Sequence, residues 1–472
     1  MFDMDTITAL GVLGTTSISK LPKYQTWSPD KKLKILVVGY NGMRNTGADV
    51  RVVAMVDQFY RLLGRDRIEI GVLTLNLDKT KAYFKPPTEL IEFNSVFFKD
   101  LLKACNQYHM AVLSEGSTLK SKFSNALTLF FCEAAGIMKK QGKPCIAYGS
   151  EAGHMDNLVK KVAKKTCRET YFIARTQPSL EILEQIGLEG HLGTDTAWTF
   201  PPGDAAWAKK AIMQKTGWDG KKPLLGAAVI NPFFWPVRPS LTKLARAALT
   251  RNWESHVTKY YFNTTSKERT RLFNNYIEGI TAAINRFQAR RDVHVVVLGM
   301  EAQFDGVPCE KLCEALDTPT GIFNSKDYNG YQMTSVLHSL SALVTSRYHA
   351  RVLSMTGGVP SIAVSMDERL YNIFQECGHL DDYYLSTDDS NLGDNLLNAL
   401  EKLWKNRRKV SEEIRASVPR YLKIMAEMGQ FFHDYVQRSF PGIELPPLPK
   451  DWKDCLPELH PGLQKILSDH PG

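Results

Sequence analysis

Short apolar runs alternate along this chain with longer stretches in which apolar residues recur at helical spacing. The run "KLKILVV" predicts a buried strand over Leu33–Val38, followed by a turn carrying Gly39, Gly42 and Gly47. After the turn, Val52, Met55, Val56, Phe59, Leu62 and Leu63 fall on one face of a helix. Further strands are predicted at "IEIGVLTLN", "HMAVLSEGS" (109–117) and "PCIAYGSEAG", and "TYFIARTQPSLEILEQIG" repeats strand, turn and helix once more. Strands alternating with helical patterns predict a parallel sheet covered on both faces.

The alternation breaks at "TFPPGDAAWAKKAIMQKTGWDGKKP" and restarts at Pro223 with "LLGAAVI", a helical pattern over 265–290, "VHVVVLGM", a helical pattern over 333–341, "ALVTS" and "SIAVS". Helices then run to about 437, the last of them expected to pack back onto the first half. At 472 residues the chain is too long for one core. The pattern predicts an α/β protein of two doubly wound parallel-sheet domains, over 34–200 and 223–437. A loosely ordered lead-in over 1–33, a linker over 201–222 and a proline-rich tail over 438–472 complete the expected organisation. In such folds ligands sit beyond the carboxyl ends of the strands, here in the cleft between the two domains.

Composition narrows the class. A hydrophobic share of 43% and a charged share of 23% are ordinary for a globular protein. The net charge of +9, with basic residues spread among acidic ones, suits an anionic ligand and does not require nucleic acid. The eight cysteines form no CxxC pair; Cys309 and Cys313 lie one helical turn apart without a His or Cys to complete a set, so no metal centre is expected. Asp3 and Asp5 stand where a signal peptide carries basic residues, and no apolar run is long enough to span a bilayer, which leaves peripheral membrane contact open. A cytoplasmic protein of reduced thiols is the expectation.

Chemistry gathers where strands hand over to helices. In "LVTSRYHARVLSMTGGVPSIAV" (343–364), Ser346 can donate a hydrogen bond, Arg347 can grip an anion bidentately and His349 can transfer a proton near neutral pH. The plainer alternative makes Ser346 a helix cap and His349 a satisfied core residue. "GYNGMRNTGAD" (39–49) places Gly39, Asn41, Arg44, Asn45 and Gly47 in a turn like a phosphate cradle, with neither P-loop nor dinucleotide spacing. "SEGSTLKSKFSN" offers Glu115, Gly116, Ser117, Lys120 and Lys122; "YGSEAGHMDN" offers Glu151, His154 and Asp156; "ARTQPS" offers Arg175. His191, His256, His294, His338 and His379 lack a strand-end setting and read as structural or surface groups.

Four segments carry a family resemblance: "VVGYNGMRNTGAD", "GKPCIAYGSEAG", "FIARTQPSLEILEQIGL…GTDTAWTF" and "VTSRYHARVLSMTGGVPSIAVSMDERLYNIF". Over roughly residues 34–380 the chain resembles the polysaccharide pyruvyl transferases. The resemblance implies a GT-B-like fold of two Rossmann-like domains. It also implies transfer of the pyruvyl group of phosphoenolpyruvate onto two hydroxyls of a sugar or glycan-like acceptor, with release of phosphate and no cofactor. Arg347 matches the arginine that holds the donor, with Ser346 and Arg175 as further donor contacts. His349 matches the histidine that protonates the methylene carbon or guides phosphate departure, and His154 faces it from the first domain. The turn residues 39–47, 115–120 and Glu151 are then acceptor or ligand contacts. Ser114-Glu115-Gly116-Ser117 replaces the family's glycine run, and Arg175-Thr176 its Arg-Asp. Two other readings of the architecture are a nucleotide-sugar glycosyltransferase, for which Glu301, Asp305, Asp367 and Glu368 are candidate ribose ligands, and a non-catalytic ligand-binding protein.

Overall fold

The computed structural model describes residues 3–239, 249, 261–263 and 265–471; His256 lies outside them. The first sheet comprises β1 (Leu33–Val38), β2 (Ile68–Thr74), β3 (Glu89–Glu92), β4 (Met110–Leu113), β5 (Cys145–Ser150), β6 (Thr170–Ala174) and β7 (Gly190–Leu192), in the order β3-β2-β1-β4-β5-β6-β7. Its pairings are all parallel. Leu33, Ile35, Leu36, Val37 and Val38 of β1 are buried, as a strand covered on both faces must be. The second half begins with β8 (Leu224–Ala228). A two-stranded ribbon, β9 (Val237–Pro239) with β10 (Tyr261–Asn263), precedes β11 (His294–Gly299), β12 (Ile322–Asn324), β13 (Ala342–Thr345), β14 (Ser361–Val364) and β15 (Tyr384–Leu385). The second sheet is parallel in the order β12-β11-β8-β13-β14-β15.

Each sheet reverses its order beside its first strand, between β1 and β4 and between β8 and β13. That reversal opens a crevice at the carboxyl ends of the strands. The turns after β1, β4, β11 and β13 therefore rim one cleft; the polar residues singled out in the sequence lie in these turns and in those after β5 and β6.

Three segments are more ordered than their sequence suggests. The lead-in contains a helix, Met4–Ile18, capped by Asp3, whose carboxylate accepts from Thr6 N at 2.7 Å. Its threonines, glycines and isoleucine are weak helix formers, so packing decides the matter: Ala9 and Val12 are buried in the first domain's core. The segment expected to be a linker carries the helix Ala205–Thr216, whose Ala208 and Ile212 are fully buried in the second domain's core. In the proline-rich tail, the helix Pro461–Asp469 buries Leu463, Ile466 and Leu467 in that same core.

The helix Leu392–Ser439 joins the halves. Its Leu396, Leu400, Leu403 and Ile414 pack with the second domain, while Met428, Phe432 and Val436 pack with the first. Phe432 stacks on Phe59 at 4.0 Å between ring centroids, and Tyr421 stacks on Trp198 at 4.2 Å. Among the described residues no helix is long and apolar enough to cross a membrane.

A buried acid lies where the domains meet. Asp49, on the helix Thr46–Leu63, is hydrogen-bonded by Tyr83, whose hydroxyl accepts from the second domain's Gly330 N at 2.6 Å. Burial raises Asp49 to about 7, against the pull of Arg44. A carboxyl raised on folding stabilises the native state below its ordinary value of 3.8, and that contribution is lost as pH rises towards 7. Asp49→Asn should therefore lose less thermal stability than the parent between about pH 4 and about pH 7, as melting curves across that range would record.

Candidate active site

The turns after β1 and β11 are joined across the cleft. Thr46 N donates to Met300 O at 2.9 Å, Asn45 bridges to Glu301, and Ser325 Oγ donates to Arg44 O at 2.7 Å. Asn45 caps the 46–63 helix, its side chain accepting from Ala48 N at 3.2 Å. The helix Tyr348–Met355 begins directly opposite. A Cβ on Gly47 would lie 2.0 Å from His349 Nδ1, so only glycine lets the imidazole reach this place. Two helix N-termini, each a partial positive charge, thus converge on one cavity of about 170 Å³.

The cavity has two ends. Asn45, Glu115, Ser117, Glu301, Arg347, His349 and Arg369 line the polar one. Leu75, Phe93, Phe97, Phe123, Leu127, Phe130, Trp235 and Phe304 line the other. Tyr348, between them, lies beneath two guanidiniums, Arg175 at 5.2 Å and Arg369 at 5.4 Å from its ring centroid.

Arg347 is held by two carboxylates in different ways. Its Nε donates to Asp305 Oδ2 at 2.9 Å and its Nη2 to Asp305 Oδ1, while Nη1 lies 2.9 Å from Glu301 Oε2. Asp305 is buried and also accepts from Met300 N and Glu301 N, both at 2.9 Å, so it anchors the arginine to the backbone after β11. Glu301 lines the cavity, and its burial raises the carboxyl above the usual range despite Arg347.

His349 rests against Asp195. Its Nε2 lies 3.3 Å from Asp195 Oδ2, the oxygen that also meets Arg175 Nη1 at 2.7 Å and Arg51 Nε at 3.1 Å. Burial works to raise the Asp195 carboxyl, but Arg51, His349 and Arg175 overrule it and hold the group well below the carboxylate range. Burial lowers His349 below the usual 6.5, only partly countered by Asp195. Arg51 is fully buried, donating to Ser114 O at 2.8 Å and Gly149 O at 2.6 Å.

Of the residues singled out in the sequence, Arg347, His349, Asn45, Gly47, Glu115, Ser117 and Glu301 line the cavity. Others do not reach it. Ser346 is buried, its hydroxyl donating to Val364 O at 2.5 Å and paired with Tyr276 OH at 2.7 Å, so it secures the strand end and is not placed to touch a donor. Arg175 is spent on Asp195 and on Glu151 Oε2, 3.2 Å away, and stands behind the site. Gly116 makes room for it, since a Cβ there would lie 2.6 Å from Arg175 Nη1. Glu151 is buried in the same network. Lys120 is also buried, its Nζ 3.7 Å from Glu151 and 3.0 Å from Glu368 of the second domain, which makes it an interdomain tie. His154 points to solvent with 85% of its side chain exposed, because its carbonyl is drawn to Ser121 N; it is not opposite His349. Gly39 lets β1 approach Ser114, Asn41 Nδ2 donates to Leu73 O at 3.0 Å, and Arg44, at φ 55°, spends its carbonyl across the cleft, so this loop is a clasp more than a cradle.

Asp195, Arg51, Tyr348 and Arg369 were not singled out, and Asp305 was named only as a candidate ribose ligand. Asp195 sits in "GTDTAWTF", directly after β7, a strand-end setting that could have flagged it. Arg51 interrupts the apolar "VRVVAM", a signal for a buried and partnered charge. Among the described residues no cluster of His, Cys, Asp and Glu is disposed to hold a metal ion.

Solved structures share the architecture. Staphylococcus aureus MnaA in complex with UDP aligns with a TM-score of 0.53 at 12% identity, over 88% of this chain and 99% of that one. The UDP-GlcNAc 2-epimerase from Neisseria meningitidis bound to UDP-GlcNAc aligns with a TM-score of 0.50 at 9% identity, over 84% and 99%. At such identities the likeness is one of fold, the GT-B fold of two facing domains. No curated protein matches the chain by sequence. The sequence pattern of the polysaccharide pyruvyl transferases matches residues 45–368, a span that begins at the cap of the 46–63 helix and ends just beyond Asp367. With both walls of the cleft inside that span, the chain belongs to the polysaccharide pyruvyl transferase family.

Proposed function

We propose that the cleft transfers the pyruvyl group of phosphoenolpyruvate to two hydroxyls of a sugar or glycan-like acceptor, forming a ketal and releasing phosphate. The observation that carries this reading is the pair at the start of the 348–355 helix: a guanidinium anchored on one side by Asp305, and an imidazole backed by Asp195, both lining one cavity. Asp305 and Asp367 are each held by a guanidinium, which leaves them ill placed to grip a ribose and favours this reading over a nucleotide-sugar glycosyltransferase.

In this reading Nη1 of Arg347 exchanges Glu301 for the donor's phosphate or carboxylate, and the two helix N-termini add to the attraction. The raised carboxyl of Glu301 makes that exchange easier. A donor anion beside His349 favours the protonated imidazole that burial disfavours when the site is empty. His349 then delivers its proton to the methylene carbon, which becomes a methyl group, and the adjacent carbon becomes oxocarbenium-like. One acceptor hydroxyl adds there, phosphate departs with its oxygen, and the second hydroxyl closes the ring. Of the two protons the hydroxyls lose, one offsets that placed on carbon and one leaves with phosphate. Phe123 and Trp235, 5.1 Å apart edge to face, offer apolar surfaces to the acceptor. The eight cysteines are all free, which suits a cytoplasmic setting.

His349→Gln should lower turnover by about 100-fold or more while weakening donor binding far less, through loss of the imidazolium charge alone. Arg347→Lys should weaken donor binding and turnover together, since the fork is lost; calorimetry and single-turnover rates for both variants check the division of roles. Glu301→Gln should tighten phosphoenolpyruvate binding on the order of tenfold, having removed the competing charge. Gly47→Ala should cost turnover on the order of 100-fold with little loss of fold, because it displaces the imidazole. If the imidazolium is the working acid, kcat/KM should fall as pH rises through a value below 6.5. No release of phosphate from phosphoenolpyruvate with any glycan pool, together with a melting-temperature rise given only by a nucleoside diphosphate, would overturn the proposal.

A further inference from the structure

The N-terminal helix is apolar on both sides. Ala9 and Val12 face the core, yet Ile7, Leu10 and Ile18 on the helix are 45%, 56% and 50% exposed, and Leu21 just beyond it is 82% exposed. These positions follow one another at helical spacing and form a stripe with no Lys or Arg inside Met4–Ile18. A helix with apolar residues on every side is ordinarily covered on every side.

Basic residues border the stripe. The helix lies on Asn125–Gln141, between Phe98–Gln107 and Asn157–Thr166. On one flank Gly11 abuts Phe98, and Gln25 N donates to Asn106 O at 2.8 Å. On the other, Asn125 Nδ2 ties Asp5 to Asp156 at 2.8 Å each, and Thr16 and Thr166 both neighbour Gly136. The exposed Lys99 and Lys103 therefore stand along one side, and the exposed Lys160, Lys161, Lys164 and Lys165 along the other. The acids nearby are engaged within the protein. Asp3 caps the helix, Asp5 and Asp156 share Asn125, Asp100 accepts from Asn94, and Glu169 lies 3.8 Å from Lys139.

We infer that this face docks on the surface of an anionic lipid bilayer, with Ile7, Leu10, Ile18 and Leu21 entering the headgroup region and the lysine rows meeting acidic lipids. An apolar stripe between basic rows is the composition of an interfacial segment, and the charge complementarity selects an anionic membrane over a second copy of this basic chain. The face also borders the cleft. Val96, 58% exposed, lies between Ser95 and Phe97, which line the cavity, and Leu127 and Phe130 of the underlying helix line it too. Docking would turn the apolar end of the cleft towards the bilayer, where an acceptor carried on a membrane would be presented. The docking itself does not depend on the reaction assigned to the cleft.

The test is sedimentation of the full chain with vesicles of phosphatidylcholine and phosphatidylglycerol, against vesicles of phosphatidylcholine alone, with oligomeric state followed by light scattering. The parent protein should pellet with the anionic vesicles and be released by added salt. The double variant Leu10→Glu/Ile18→Glu and, independently, Lys160→Glu/Lys164→Glu should each lose binding by about tenfold or more with unchanged melting temperature, since all four residues are exposed. Failure of the parent to pellet, equal binding to neutral vesicles, or undiminished binding by both variants would overturn the inference. So would a dimer that Leu10→Glu/Ile18→Glu dissolves, because the stripe would then be covered by a second copy.

Discussion

The site depends on one buried carboxylate. Asp195 takes charge from Arg51 and Arg175 of its own domain and from His349 of the other. A carboxylate this deep stays ionised only because those groups surround it, and a missing partner would leave an uncompensated charge. The network therefore does more for geometry than for stability. It fixes the angle of the imidazole, and through Gly47 it fixes how closely the two helix starts approach.

Arg347 shows the same device in the second domain, divided between two carboxylates with different roles. Asp305, tied to the backbone, sets where the guanidinium lies; Glu301, at the cavity wall and raised by burial, occupies the arm that a ligand would use. An anion site with its counter-charge already in place avoids leaving an unpaired cation when empty, and it makes binding an exchange of partners.

Helix Leu392–Ser439 and the clasp of the 39–47 loop on Met300 and Glu301 hold the domains at a set separation. The cavity they leave joins a charged end to an aromatic one. That asymmetry matches a small anion meeting a larger partner with apolar surface, and the aromatic end lies towards the face that carries the N-terminal helix.

Local pattern alone specified the central strands of both sheets, since parallel strands buried on both faces must be continuously apolar, and the polar turns at their ends. It did not specify the short edge strands β3, β7, β12 and β15, which lack such a run. Among the residues in those turns, Arg347, His349, Asn45, Gly47, Glu115 and Ser117 line the cavity. Local pattern misjudged Met4–Ile18, Ala205–Thr216 and Pro461–Asp469, whose helices exist because distant residues cover them. It also misjudged Ser346, Arg175, Lys120, Glu151 and His154, which occupy similar turns but are drawn into buried bonds or turned to solvent. Which oxygen pairs with which nitrogen is decided by groups far apart in the chain, such as Asp195 and His349. Sequence alone determined the fold class, the family and the polar rim; only the tertiary structure decided which rim residues reach the cavity, because burial and partner choice are set by contacts that no local spacing encodes.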